Sequence, residues 1–220
     1  KKGKETWLEP IIDRTAKTVR FDVRTGHGGP EESPKVGRGA SFRCLVCRHI
    51  APSEYVKAES RAGRMGVQLV AIVAEGQRNR IYLAPTPEQS EAAGRVDRPD
   101  GVLEEKMGAD STNLVSGRGY GFYQWRDLYT PRQLVALTEF GALVREAHER
   151  VLDDARAVAD RERVAYANAV TTYLAFAADK VADRGSTLTR WMSSRDSMYN
   201  TFARQALPMV WVLQRMKPKP

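Results

Sequence analysis

The chemistry-bearing residues with the clearest spacing are Cys44 and Cys47, the only cysteines of the chain, in Cys44-Leu45-Val46-Cys47. Two thiolates two residues apart, with the backbone amides between them turned toward the sulfurs, form one half of a tetrahedral zinc knuckle. A structural zinc needs four ligands, and the remaining soft or imidazole donors are His27, His49 and His148. His49 follows too tightly for the usual paired arrangement, and His148 lies far away in a helical segment. Either His27 and His49 both bend in, or a second cysteine pair comes from outside these residues. A thioredoxin-like redox pair would have to open a helix after a buried strand, and Arg48-His49-Ile50-Ala51-Pro52 does not start a long one. The expectation is half of a zinc knuckle. Two ordinary reduced cysteines, or a disulfide or redox pair, are the alternatives that a metal assay separates.

Charge points to what such a knuckle would serve. The net charge is +8, and residues 1–85 hold 16 Lys and Arg against 9 Asp and Glu, so almost all of the excess lies in the part that carries the cysteines. A concentrated positive excess favours a polyanionic partner, above all nucleic acid, through phosphate contacts and counterion release. The plain alternative is that scattered arginines keep a small β module soluble. No apolar run is long enough to span a bilayer, and Lys1-Lys2-Gly3-Lys4 leads into no secretory core, so no membrane partner is expected. Two cysteines suit a reducing compartment, and the chain reads as cytoplasmic.

The elements that must position the cysteines are short strands. Thr6 to Ile12 and Thr18 to Val23 read as a hairpin around Arg14 and Thr15, with Val19, Phe21 and Val23 on one face and Arg20, Asp22 and Arg24 on the other. Gly26 to Gly39 reads as a flexible loop, followed by Ala40 to Arg43, the knuckle and a return through Ile50. Val67 to Ala74 is the most continuous apolar run and predicts a strand covered on both faces. Gly76 to Asn79 then predicts a loop and Ile81-Tyr82-Leu83 the returning strand. Pro85, Pro87, Pro99 and Gly101 mark a linker. Gly117, Gly119 and Gly121 sit in an Arg/Tyr stretch that reads as a surface loop rather than a phosphate-cradling one, because no strand precedes it and no Lys-Ser/Thr follows.

Beyond Thr130-Pro131-Arg132-Gln133, a capping box with proline at the first helical position, the pattern turns helical. Leu137, Val144, Val151 and Val158 recur every seven residues, with Leu134, Gly141, His148 and Ala155 three positions ahead of each, an interhelical seam. His148 on that seam reads as a hydrogen-bonded histidine at the core edge. Tyr166, Val170, Tyr173, Leu174, Ala177 and Val181 form a second apolar face that ends at Gly185. A last helix is expected from about Asp196, bent or ended by Pro208, and the tail Lys217 to Pro220 reads as disordered. The expected fold class is α+β, a small antiparallel β module of zinc-ribbon type (1–84), a linker (85–119) and an antiparallel helical bundle (120–220).

Three stretches together resemble one family: Gly63 to Pro87, with Gly63-Arg64-Met65-Gly66 and Tyr82-Leu83-Ala84-Pro85-Thr86-Pro87; Tyr120 to Leu134; and Asn200 to Trp211, reading Asn-Thr-Phe-Ala-Arg-Gln-Ala-Leu-Pro-Met-Val-Trp. They look like the large adenine-specific DNA methylases that carry an internal zinc ribbon and often occur in anti-phage defence loci. The resemblance implies the middle of such an enzyme, between an upstream S-adenosylmethionine-binding motif and a downstream Asp-Pro-Pro-Tyr motif. It implies that Cys44 and Cys47 are the second of two ribbon cysteine pairs. The departures agree: the chain has no Asp/Asn/Ser-Pro-Pro-aromatic tetrapeptide to hold a flipped adenine, and no glycine-rich turn for the cofactor. The segment alone is therefore expected to be inactive, with no catalytic or cofactor-binding residue of its own. S-adenosylmethionine belongs to the parent enzyme only. On this reading Arg38, Arg43, Arg48, Arg61 and Arg64 contact DNA phosphates, zinc is the metal at Cys44 and Cys47, and the partners are DNA and the rest of the methyltransferase polypeptide. A structural or protein-docking insertion that leaves DNA alone is the alternative.

Overall fold

A computed structural model describes residues 5–29, 33–77, 79–108, 116–157, 159–192, 194–204 and 206–209. Val158 of the heptad, Gln205, and everything from Val210 onward, including Trp211 and the tail, lie outside the described residues. Among the described residues the architecture is α+β, with four two-stranded antiparallel sheets and four α-helices. No described helix is long and apolar enough to cross a membrane.

The first hairpin pairs β1 (Glu5–Asp13) with β2 (Thr18–Gly26), from Glu5 opposite Gly26 to Asp13 opposite Thr18. Its turn closes because Asp13 Oδ1 accepts the N–H groups of Thr15 and Ala16, a side-chain-stabilised turn that lets Lys17 take φ +53°. The alternation expected for β2 is present in part: Val19, Phe21 and Val23 are half-buried and Arg20 and Arg24 exposed, but Asp22, expected on the outer face, is half-buried too. Next come β3 (Phe42–Arg43) and β4 (Ile50–Ala51), which bracket the cysteine turn. Directly after Pro52 runs α1 (Ser53–Arg61), a helix the sequence reading did not anticipate, with Glu54 in its first turn and Arg61 in its last, the polarity that suits the helix dipole.

The long apolar run does not become a long buried strand. Only Ile72–Glu75 (β5) is paired, with Arg80–Leu83 (β6), and Val67 is 75% exposed. A four-residue partner supplies hydrogen bonds to only four residues, and an isolated two-stranded sheet cannot be covered on both faces. The return itself falls where expected, with Gly76 N–H bonded to Asn79 O across the turn.

The stretch read as a linker contains α2 (Pro87–Gly94), closed by a reciprocal box in which Thr86 Oγ1 accepts Gln89 N–H and Gln89 Oε1 accepts Thr86 N–H. It also contributes Met107, 2% exposed, to the main core with Leu128, Tyr129, Leu134, Leu188 and Leu207. The glycine-rich stretch is a short 3-10 turn (Ser116–Tyr120) packed against α1. There Ser60 Oγ donates to Tyr120 O at 2.7 Å, and Gly121, at φ +87°, lies against the Arg61 backbone. So this is a packed turn in which Gly117 and Tyr120 are buried, not a surface loop.

α3 (Pro131–Asp154) starts at the expected box, with Gln133 Oε1 accepting Thr130 N–H at 2.8 Å. It folds back as α4 (Asp160–Arg184) along the Leu134–Val151 seam. The chain breaks between them without glycine or proline. Asp153 and Asp154 disfavour continuation at a C-terminal end, while Asp160 and Glu162 favour a new N-terminus. His148 Nε2 meets Asn168 Oδ1 at 2.9 Å, tying the two helices together as the sequence reading anticipated. No helix follows Asp196 among the described residues. Trp191–Met192 (β7) and Ser197–Met198 (β8) form a hairpin whose turn holds Asp196 at φ +47°. Tyr82 OH donates to Asp196 Oδ1 at 2.7 Å, and the Tyr82 and Trp191 rings meet edge to face at 5.9 Å. These contacts to β6 outweigh the weak helical propensity of Ser194 to Ser197.

Candidate functional site

Cys44 and Cys47 occupy the tight turn between β3 and β4. Cys44 N–H donates to His49 O and Arg48 N–H to Cys44 O, closing a loop in which Arg48 takes φ +64°. That left-handed residue turns the backbone so that successive amides point inward. The N–H groups of Cys47 and Val46, then the Cys47 side chain, lie on the Cys44 sulfur and hold its thiol below the usual cysteine range. Cys44 is half-buried and Cys47 exposed, both reduced. Amides aimed at a sulfur in a solvent-facing turn favour its ionised form, the form in which a cysteine can ligate a metal.

The described residues do not supply the other half. No group of three or more His, Cys, Asp or Glu side chains stands close enough to share an ion among them, so neither His27 nor His49 joins the cysteine pair. His49 takes part through its backbone carbonyl instead. The described residues therefore bring these two sulfurs together and set no third metal-ligating side chain beside them.

Positive charge surrounds this turn. Arg43 and Arg48 flank the cysteines, Arg43 half-buried and Arg48 exposed. Arg38 stands on the preceding turn, Gly37 to Ala40, which joins Pro34–Val36 to Ser41–Arg43 through Val36 N–H to Ser41 O and Arg43 N–H to Pro34 O. β3 therefore carries an arginine-bearing turn at each end. Arg61 closes α1. None of these four forms an ion pair with a described residue. Arg64 differs: its guanidinium grips Glu59 through two bonds of 2.8 and 2.7 Å, which lowers the Glu59 carboxyl, and it must give up that fork to meet a phosphate.

Arg14 completes the cluster and was not singled out from the sequence. From the tip of the β1–β2 hairpin its Nη1 donates to Val46 O at 2.6 Å, docking the first hairpin on the cysteine turn. A contact between residues 32 apart has no local signature. Elsewhere, Asn200, Thr201, Ala203, Arg204 and Pro208 line a cleft with Leu188, Arg190 and Tyr199. The Arg190 guanidinium lies 4.8 Å from the centre of the Tyr199 ring. The chain matches no protein-family model, no curated protein and no solved structure.

Proposed function

We propose that this chain is the zinc-ribbon-like and helical segment of an adenine-specific, S-adenosylmethionine-dependent DNA methyltransferase, and that it grips duplex DNA while residues outside it transfer the methyl group. The observation that carries this reading is the Cys44–Cys47 turn, with amides converged on one sulfur, Arg43 and Arg48 flanking it and Arg38 on the turn at the other end of β3, none of the three ion-paired with a described residue. Arg61 extends the basic surface along α1, and Arg64 joins it when it exchanges Glu59 for phosphate. Zinc, completed by a second cysteine pair, would fix the turn beside the arginines. The helices from Thr130 to Arg184 act as the bundle that buttresses the catalytic domain.

The test is fluorescence anisotropy with several unrelated duplexes. Arg43→Gln and Arg48→Gln each weaken binding by a similar factor on every duplex, as phosphate contacts do. Loss confined to one sequence, or no binding at any salt, refutes the proposal. A docking insertion that never touches DNA is the second reading, favoured by the exposed aromatics of α4. Absence of DNA binding together with assembly through those aromatics would establish it instead.

A further inference from the structure

α4 carries no charge from Val164 to Ala178, yet among the described residues it has a helix on one side only. Ala167, fully buried, and Asn168, bonded to His148, face α3. On the opposite side Glu162, Tyr166, Ala169, Tyr173, Phe176 and Lys180 follow one another at intervals of four and three residues, the spacing of a coiled-coil seam. All six are exposed, with Tyr166 at 61%, Tyr173 at 76% and Phe176 at 58%. Tyr173 and Phe176 pack edge to face on each other at 6.4 Å. A helix apolar around most of its circumference is a helix with a second layer against it.

We propose that the layer is a second copy of the same helix, running antiparallel about a twofold axis at Thr171. The pattern is its own complement under that operation. Reversal sets Glu162 against the partner's Lys180, Tyr166 against the partner's Phe176, and Ala169 against the partner's Tyr173. Each layer then joins an a position to a d position, as antiparallel helices require, with large against small, ring against ring, and opposite charges at both ends. Neither Glu162 nor Lys180 forms an ion pair with a described residue, so both are available to the partner. A partner of unrelated sequence would not require Glu162 and Lys180 to lie equally far from Thr171.

Sedimentation velocity on the whole chain tests this. The wild type dimerises; Glu162→Lys and Lys180→Glu each place two like-charged pairs in the interface and raise the dissociation constant about tenfold. The double variant E162K/K180E restores the dimer, and an equimolar mixture of the two single variants forms a heterodimer at wild-type strength. Both positions changed are exposed ends of the stripe, and circular dichroism checks that the fold is kept. A wild type that stays monomeric at about 100 μM, or single and double variants that behave alike, overturns the proposal and assigns the stripe to a different protein segment.

Discussion

Gly121 is where the basic module meets the helical half, and its replacement has a calculable cost. At φ +87° a side chain is strained by about 1–2 kcal/mol. A Cβ there would also stand 3.3 Å from Arg61 Cα and 3.5 Å from Ser60 O, backbone atoms that cannot swing aside, which adds about 1–3 kcal/mol. Gly121→Ala is therefore expected to destabilise by about 2–5 kcal/mol. The control is two residues away: Gly119 has ordinary φ and nothing within 4 Å of its Cβ position, so Gly119→Ala is neutral or stabilising by about 0.5 kcal/mol. Urea unfolding followed by tryptophan fluorescence measures both. Hydrogen exchange over 53–61 shows whether α1 is released before the rest unfolds. Equal midpoints for the two variants, or a protected α1 in Gly121→Ala, would refute the packing argument.

Further expectations follow from titrating groups. Burial, with the Asp196 hydrogen bond for Tyr82 and the Asp183 charge for Tyr129, raises both phenols to about 12. The folded state thus holds these protons more tightly than the unfolded chain, so their contribution is complete below pH 10 and is lost as pH rises through 12. Tyr82→Phe should flatten part of that alkaline decline in a urea series; an unchanged slope contradicts the assignment. Cys44, held low by the amides of its turn, should alkylate with a pH midpoint below that of a free thiol, and Cys47→Ala should move the midpoint up. Mass spectrometry against pH follows both, and a midpoint at or above the free-thiol value speaks against the knuckle geometry.

How much of this was legible beforehand depends on whether the signal was local. The first hairpin and the start of α3 were, since alternation in Thr18–Val23 and the Thr-Pro-x-Gln box need no distant partner. The same four-residue box occurs at Thr86-Pro87-Glu88-Gln89, where nearby prolines and glycine suggested a linker and α2 went unseen. α1 was hidden because Arg48 to Pro52 was weighed only as the start of a long helix, and the nine-residue helix after Pro52 carries no side-chain cap. Val67–Ala74 had strand-like composition but no long partner, and the Ser194–Ser197 segment took its conformation from Tyr82, more than a hundred residues away. At the candidate site, the spacing of Cys44 and Cys47 announced the turn. The left-handed Arg48 and the Arg14 dock are properties of the folded backbone that no pattern in the chain encodes.

Salt dependence of duplex binding tests the central claim most directly. Each phosphate contact contributes about 0.9 to the slope of log affinity against log salt, so replacing Arg38, Arg43 and Arg48 together by Gln should lower that slope by about 2.7. The wild type should bind steeply less well between about 50 and about 200 mM salt, and the triple variant much less steeply. Identical slopes in the two proteins, or no duplex binding by the wild type at the lowest salt, would contradict an arginine-lined DNA surface around the cysteine turn.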